Sequence, residues 1–352
     1  MHPEDQVVRH ASVGGRAVAW SSVGTGPVLV IGGWWSSHLE LDWEDPTFRH
    51  FVGLLARRCR VVRFDRPGAG LSDRAGAVPA DLDDQAGVLA GVVDHVVDQL
   101  GVGQVHLLGA SSGCPVAAAY AATAPDRVDR LVLYGGYARG ADIASPAARD
   151  SMVELVQAHW GLGSRVLADV FLPGATPRER DAFARFQRRS ASREMAAEAL
   201  RTVYALDATD RLAGVQAPTL VLHRRGDRAI PFALGRDLAD RLRRSTFVEL
   251  AGDDHFPWRG DSTSVATAVD LFLTGRDPAA VAARPREAET TLSDREVEVL
   301  RLVARGCTDA EIARQLVLSV HTVHRHVANI RTRLDVPTRA AAAAWAVDHD
   351  LL

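Results

Sequence analysis

The sequence predicts an α/β fold built on a mainly parallel sheet, followed by a small all-α domain. Up to about residue 273, short and nearly all-apolar runs alternate with longer amphipathic or alanine-rich segments, which is typical of strand–helix repeats whose strands are covered on both faces. Over roughly the last sixty residues, helix-start signals recur at short intervals within amphipathic segments. At 352 residues the chain is long enough for two domains that each bury a core.

Composition narrows the class of protein. Hydrophobic residues make up 47% and charged residues 24% of the chain, as in ordinary globular proteins. No apolar run is long enough to cross a bilayer, and the N-terminal residues lack the basic and apolar regions of a signal peptide. We therefore expect a cytoplasmic protein with no membrane partner. All 41 Lys and Arg residues of the chain are arginine and the net charge is −3, so any contact with nucleic acid must come from a local patch. The three scattered cysteines lack metal-ligand spacing, and we expect no metal, no disulfide framework and no cofactor.

The first domain is expected to span residues 1–273. Its predicted strands cover residues 17–23, 28–31, 60–64, 105–108, 130–134, 219–223 and 246–250. Between about residues 137 and 213 the pattern favours helices, and an all-helical insertion here usually lies over the carboxyl edge of such a sheet as a lid. Residues 274–289 have mixed charge and little periodicity and are predicted to be a linker. The second domain then spans residues 290–352.

A candidate nucleophile follows the strand predicted at 105–108. Residues 109–113 spell GASSG, and a helix of small residues begins near Pro115. In a G-x-S-x-G turn between a strand and a helix, the glycines allow a strained backbone that exposes the serine hydroxyl above the sheet. The alternative is a tight crossover in which Ser111 has no chemical role. The strand–turn–helix context favours a nucleophile at Ser111.

A serine nucleophile needs a base, and the base needs a carboxylate that orients it. In this type of fold the acid and the histidine follow the serine in that order, each after a later strand. Asp227 follows the strand at 219–223, and His255 follows the strand at 246–250. Taken singly, Asp227 could be a turn residue and His255 a surface histidine. The agreement of three placements favours a catalytic triad of Ser111, Asp227 and His255.

The oxyanion hole is expected to use the backbone N–H of Ser112 and a second N–H from the loop after an early strand. That loop contains the sequence GGWW at 32–35, which makes the Trp34 N–H the second candidate donor.

Residues from about 16 to 273 resemble the α/β-hydrolase family. A further similarity is the sequence FDRPGAGLS at 64–72, which resembles the family's Asp-x-x-Gly-x-Gly-x-Ser turn. Gly32 and Gly33 stand where the family often has His-Gly before a variable residue. The resemblance implies a pocket suited to acyl chemistry on an ester or lactone, without deciding whether it turns over. An apolar ligand pocket under the lid, or equally the lid's own core, is expected from Trp34, Trp35, Trp160, Phe171, Phe183, Phe186 and Tyr204.

Four short helices are predicted at the C-terminus. Ser293 with Glu296 and Thr308 with Glu311 form capping boxes for the first two helices, and Ser319 and Thr338 are N-cap residues for the other two. Apolar residues at three- and four-residue spacings supply one stripe per helix around a small core. The short QLVLS connection between the second and third helices fits a helix-turn-helix.

The third of these helices carries basic and polar residues and no acidic one between Ser319 and Leu334. Arginines on such a helix reach phosphates, and histidine and asparagine reach base edges. The alternative is an ordinary solvated face. The whole stretch from about 290 to 352 resembles the LuxR-type DNA-binding domain, with His324 standing where the family commonly has lysine. The expected DNA-binding residues are Ser319, His321, Thr322, His324, Arg325, Asn329, Arg331 and Arg333.

The LuxR-type resemblance also implies a homodimer on double-stranded DNA, paired through the fourth helix at about 339–348, with half-sites about one turn apart.

Three functions of the whole chain are then open. The first, which we favour, is a transcription regulator whose hydrolase-like domain senses a small-molecule ligand. The second is an active ester or lactone hydrolase that its second domain tethers to DNA. The third is a constitutive DNA-binding dimer. The intact triad argues against the third function but does not separate the first two.

Overall fold

The computed structural model describes residues 6–32, 34, 36–74, 79–281, 292–334, 336 and 338–348. The chain divides into two compact units, Met1–Ala283 and Arg284–Leu352. This division falls within the segment predicted as a linker, of which residues 282–289 lie outside the described residues. Residues Pro278–Val281 form a short 3-10 turn that packs against the core of the first unit. In the described part of the chain no helix is long and apolar enough to span a membrane.

The first unit is organised around an eight-stranded sheet with the order β1-β2-β4-β3-β5-β6-β7-β8. The β1–β2 and β2–β4 pairs are antiparallel, and all other neighbours are parallel. The strands are β1 Val7–Val13, β2 Arg16–Val23, β3 Val28–Ile31, β4 Arg60–Phe64, β5 Val105–Ala110, β6 Val128–Tyr134, β7 Thr219–Arg224 and β8 Ser245–Leu250.

All seven predicted strands are confirmed, with ends that differ by at most two residues. The strand β1 was not predicted. It forms a hairpin with β2 through Gly14 and Gly15, both of which have positive φ (56° and 79°), as a two-residue hairpin turn requires.

Helices cover both faces of the sheet. They are α1 Leu39–Glu44, α2 Pro46–Ala56, α3 Leu82–Leu100, α4 Gly113–Thr123, α10 Phe232–Asp240 and α11 Ser262–Leu273. Alternate residues of β3 point to opposite faces: Val28 and Val30 join the core under α3 and α4, whereas Leu29 and Ile31 join the core under α2 and α11. The carboxyl ends of the parallel strands are thereby held between two packed layers.

Between β6 and β7 the described chain is helical, as predicted. The helices are α5 Pro146–Ala158, α6 Trp160–Phe171, α7 Pro177–Ser190, α8 Arg193–Ala205 and α9 Thr209–Leu212. Ser145, Thr176 and Ser192 cap three of them through their side-chain oxygens. The insertion reaches the carboxyl edge of the sheet, since the Gly70 N–H donates to Ser190 O at 3.1 Å and the His255 N–H donates to Phe171 O at 3.4 Å.

In its described residues the second unit has four helices, as predicted: α12 Asp294–Ala304, α13 Asp309–Leu316, α14 Val320–Leu334 and α15 Arg339–Asp348. Both predicted capping boxes form, at Ser293 with Glu296 and at Thr308 with Glu311. Between α13 and α14 the chain turns at Val317, a residue with φ 54° and 90% exposure. The core of the unit contains Val299, Leu300, Val303, Ile312, Ala313, Val323, Val327, Ile330, Leu334, Ala342 and Ala346.

Candidate active site and DNA-binding helix

Ser111 lies in a strained turn between β5 and α4. Its φ is 54°, in a region that residues with a Cβ rarely adopt, and its N–H is held by Tyr134 O at 2.9 Å. The turn is tight because a Cβ at position 109 would lie 2.6 Å from Gly113 O, so only glycine fits there. This backbone presents the Ser111 hydroxyl at the carboxyl edge of the sheet, as the G-x-S-x-G pattern predicts.

The structure brings Ser111, His255 and Asp227 together. His255 Nε2 lies 2.9 Å from Ser111 Oγ, and His255 Nδ1 lies 2.8 Å from Asp227 Oδ2. Since the Asp227 carboxylate can only accept, Nδ1 carries the imidazole proton and Nε2 is left to accept the Ser111 hydroxyl proton. The His255 side chain is 2% exposed and that of Asp227 is 1% exposed. The arrangement is that of a serine nucleophile, its general base and the acid that orients the base.

Asp227 is stabilised in its ionised form by several donors. Its Oδ1 accepts the N–H of Ala229 at 2.9 Å and that of Ile230 at 3.1 Å. Burial alone would raise the pKa of Asp227, but His255 and a second histidine, His223, together hold this pKa well below its usual range. A carboxylate that stays ionised fixes the tautomer that His255 needs as a base.

His223 is a residue of this site that the sequence did not reveal. It is fully buried at the end of β7, and its Nε2 lies 3.0 Å from Ile230 O and 3.5 Å from Asp227 Oδ2. Both neighbours are acceptors, so Nε2 is the protonated nitrogen. A Cβ at position 235 would lie 2.0 Å from His223 Nδ1, so Gly235 makes room for the ring. His223 thereby ties the loop that carries Asp227 to the strand before it.

The two expected oxyanion donors lie on the elements from which they were predicted. Ser112 is 1% exposed and immediately precedes α4, where backbone N–H groups have no partner within the helix. Trp34 follows β3, and its side chain packs against Phe48 and Trp258 with ring centroids 6.1 and 4.9 Å away. Gly33 and Trp35 lie outside the described residues.

Asp65, from the FDRPGAGLS motif, anchors the chain that follows the oxyanion loop. It is fully buried and accepts from Ser37 Oγ at 2.8 Å and from the Leu39 N–H at 3.1 Å. It also accepts the Leu71 N–H at 2.9 Å, from its own motif. The motif therefore has a positional role, because it connects the turn after β4 to the segment that begins at Trp34.

The five lid aromatic residues expected to line a pocket fall into two groups. Phe171 stacks on His255, with ring centroids 5.3 Å apart, and meets Phe183 edge to face; Phe183 in turn stacks on Phe186. Trp160 and Tyr204 pack against the core that contains α3 and α4, as Phe171 also does, and the Trp160 indole N–H donates to Ala191 O at 3.2 Å. Phe171 thus brings the lid into direct ring contact with the triad.

No group of histidine, cysteine or carboxylate side chains suited to holding a metal occurs among the described residues.

The helix α14 exposes the side chains expected to contact DNA. His321, His324, Arg325, Asn329 and Arg331 are exposed, on the side opposite the buried Val323, Val327 and Ile330. Ser319 caps the helix, with its Oγ accepting the Thr322 N–H at 3.1 Å. Together with the absence of acidic residues from the sequence of α14, this exposure gives the helix a basic outer face.

Two of these expected contact residues have acidic neighbours within the unit. Arg333 pairs with Glu296, the buried carboxylate of the first capping box. His324 Nδ1 lies 3.9 Å from Asp309 Oδ2. Arg333 therefore stabilises the packing of α14 on α12, whatever it contributes to DNA.

Comparison with known proteins agrees with this geometry in both units. Residues 26–258 match the model of the alpha/beta hydrolase fold family, and residues 290–346 match the model for bacterial regulatory proteins of the luxR family. Among solved structures, an enol-lactonase from Burkholderia xenovorans LB400 is 25% identical, with a TM-score of 0.61, and the match covers 76% of this chain and all of that one. An esterase from Exiguobacterium antarcticum, 18% identical with a TM-score of 0.66 over 76% of this chain and 100% of its own, shares the fold.

Two curated relatives share a name, 2-hydroxy-6-oxononadienedioate/2-hydroxy-6-oxononatrienedioate hydrolase. The one from Burkholderia vietnamiensis is 31% identical over 186 residues, which are 50% of this chain and 63% of that protein. The one from Escherichia coli O139:H28 is 28% identical over 206 residues, which are 56% of this chain and 70% of that protein. The chain thus spans less than two thirds of the length of the first relative. Because the hydrolase model matches more than half of the sequence, the chain belongs to the α/β hydrolase fold family, and a LuxR-family DNA-binding domain follows its hydrolase domain.

Proposed function

We propose that this chain is a DNA-binding transcription regulator whose hydrolase domain recognises an ester- or lactone-like small molecule and thereby controls DNA binding. The observation that carries the proposal is the occurrence, in one chain, of an assembled serine triad and a LuxR-family domain with a basic outer helix face. A scaffold that served only to pair two DNA-binding domains would have no need of a strained serine or of a buried histidine–carboxylate pair.

The class of ligand follows from the chemistry of the site. A serine beside two backbone donors recognises a carbonyl whose oxygen becomes negatively charged on attack, so esters and lactones are the natural ligands. The aromatic contact of Phe171 with His255 supports an apolar group next to that carbonyl. The enol-lactonase has a lactone in its name, whereas the substrates named for the two hydrolases are oxo-dienedioates, which carry a ketone carbonyl and carboxylates but no ester.

The second candidate is an active serine hydrolase that its second domain tethers to DNA. A specific observation favours it: the Ser111 hydroxyl lies 2.9 Å from His255 Nε2, within the range that proton transfer needs. In this case turnover removes the ligand and ends its effect on DNA binding. In the first candidate the serine serves recognition more than turnover.

On the DNA side, we propose that Arg325 and Arg331 contact phosphates and that His321 and Asn329 reach base edges. The exposure of these side chains on one face of α14 supports this assignment. Two copies would pair through α15, whose Val347 is 51% exposed, and would read half-sites about one helical turn apart.

The first experiment separates the two candidates. Wild type, Ser111→Ala and the control Ser151→Ala, an exposed serine on α5, are assayed for hydrolysis of short-chain aryl esters and lactones. The same proteins are assayed for binding to DNA selected from a random-sequence library. Turnover by wild type and the control but not by Ser111→Ala supports the hydrolase. Absence of turnover, with ester- or lactone-dependent DNA binding in wild type, supports the sensor.

The second experiment tests the DNA-binding face. Arg325→Ala and Arg331→Ala are each expected to weaken DNA binding and to reduce the salt slope by about 1. The control is Arg165→Ala, an exposed arginine of the hydrolase domain. Unchanged affinity and salt slope in both α14 variants would contradict the placement of this helix on DNA.

A further inference from the structure

Arg224 ends β7 as a fully buried cation outside the triad. The residue is 1% exposed, and it follows His223 in the strand. Arg63, another buried arginine of the sheet, pairs with the carboxylate of Asp42 at 3.4 Å. Arg224 instead makes its described hydrogen bonds to backbone carbonyls alone. Because a buried charge is costly unless hydrogen bonds satisfy it, the position of these carbonyls indicates the role of the charge.

The four carbonyls that accept from Arg224 belong to the loop between β8 and α11. Nη1 donates to two of them at 3.0 and 3.1 Å, and Nη2 donates to the other two at 2.6 and 3.2 Å. A guanidinium has two N–H groups on each terminal nitrogen, so all four of these groups are used. In chain order, the acceptors are the carbonyl oxygens of Asp254, Phe256, Arg259 and Asp261.

This set of acceptors includes both sequence neighbours of the general base. Asp254 and Phe256 lie on either side of His255, so Nη1 holds the backbone before and after it. Residues 251–261, all of them described, form no helix or strand, and the His255 N–H donates to Phe171 O at the long distance of 3.4 Å. In this loop the guanidinium therefore supplies hydrogen bonds that secondary structure supplies elsewhere.

Arg224 also lies against the residue that holds the nucleophile. Its guanidinium carbon is 5.9 Å from the centre of the Tyr134 ring, within the range of a cation–π contact. The backbone carbonyl of Tyr134 accepts the Ser111 N–H at 2.9 Å. One cation thus contacts the chain on both sides of the hydrogen bond in which Ser111 Oγ and His255 Nε2 are 2.9 Å apart.

We propose that Arg224 is a positioning residue for the general base: it fixes the loop backbone around His255 and thereby the distance between Nε2 and Ser111 Oγ. The proposal rests on the proposed function of the hydrolase domain and deepens it. A planar fork suits this role, whereas a lysine has three donors on one nitrogen and cannot reach four carbonyls. A displacement of about 1 Å in such a site can slow the reaction about 100-fold.

The test measures the rate at which a fluorophosphonate labels Ser111 in the full chain, at several reagent concentrations. The proteins are wild type, Arg224→Lys, Arg224→Ala and the matched control Arg225→Lys. Arg225 is the next residue in the chain, and its side chain is 70% exposed and pairs with Glu249. The maximal labelling rate should fall about 10-fold or more in Arg224→Lys and further in Arg224→Ala. The reagent concentration that gives half the maximal rate should stay unchanged, because the base is not needed to bind the reagent.

Chemical rescue separates positioning from folding. Millimolar guanidinium chloride should restore part of the maximal rate to Arg224→Ala, because the free ion can bond the same carbonyls. Urea at the same concentration has a similar shape without the charge and should restore less. Circular dichroism shows which variants fold, and Arg224→Lys carries the test if Arg224→Ala does not fold.

Two results would overturn the proposal: the wild-type maximal rate in a folded Arg224→Lys, or an equal loss of rate in Arg225→Lys. The failure of the triad itself gives a different result. If wild type is not labelled at Ser111, the triad fails and this proposal fails with it. If wild type and the folded Arg224 variants are labelled at the same maximal rate, the triad stands and the positioning role fails.

Discussion

Replacing Asp227 by asparagine tests the triad most directly, because every partner of this carboxylate is a donor. Oδ2 faces the N–H of His255 and, at 3.5 Å, that of His223, and Oδ1 accepts two backbone N–H groups. In one orientation the NH₂ of the asparagine amide would face the two backbone N–H groups, and in the other it would face the N–H of His255. The second orientation is relieved only if His255 changes tautomer. With its proton moved to Nε2, His255 cannot accept the proton of Ser111.

The size of the effect depends on which of two losses dominates. Losing one charged hydrogen bond would cost about 1.5–3 kcal/mol, whereas losing the general base costs about 10³- to 10⁴-fold in rate, or roughly 4–5.5 kcal/mol. We expect the larger value for Asp227→Asn. The pKa of Asp227 lies below its usual range, so wild type keeps the carboxylate ionised and the deficit should hold across about pH 5 to 8.

The assay is the rate at which Ser111 is labelled by a fluorophosphonate, which needs no knowledge of the natural ligand. Asp253→Asn is the matched control, since Asp253 lies two residues before His255 without a described hydrogen bond to it. Urea denaturation checks that both variants fold. Labelling of a folded Asp227→Asn at more than about one tenth of the wild-type rate would refute the role assigned to this carboxylate.

Three further predictions follow from buried or strained groups. His223→Leu should slow labelling of Ser111 about 10-fold by removing a donor near Asp227, and His223→Gln should restore part of the rate; equal rates in both variants would contradict this. Burial raises the pKa of Asp42 to about 7 from 3.8 despite its pairing with Arg63. The free energy of unfolding should therefore fall as pH rises between these values, and urea denaturation should find this fall absent in Asp42→Asn. Val317→Gly should raise the free energy of unfolding of the second unit by about 1 kcal/mol, because valine is strained at positive φ; a loss of stability would contradict the strain.

The sequence predicted strands where burial on both faces leaves a nearly all-apolar run. It missed β1 because only Ala11 and Val13 of that edge strand are buried, so no apolar run marks it. The Gly14-Gly15 pair, followed by the strand predicted at 17–23, was the available signal for a hairpin. In the sequence of an edge strand, the turn residues are thus a better signal than the apolar residues.

The triad was predictable because each member follows a strand at the same edge of the sheet. The role of His223 was not predictable, since this residue lies within an apolar strand. Only the path of the 225–230 loop brings Asp227 back against it. The ring contact of Phe171 with His255 likewise depends on how its helix is rotated about its axis. Residue pattern identifies the element that carries a side chain, and tertiary packing decides which neighbour it meets.

The contact between Phe171 and His255 bears on how the two proposed roles of the chain could be linked. Phe171 of the helical insertion packs directly on His255, so a ligand that reaches Ser111 must either fit beside this ring or move it. Control of DNA binding requires that the ligand bind one state of the chain more tightly than the other. By linkage, DNA must then change the affinity for the ligand by the same factor. An ester that binds equally well with and without DNA would be a substrate only. A ligand of the sensor must bind with a different affinity when DNA is bound.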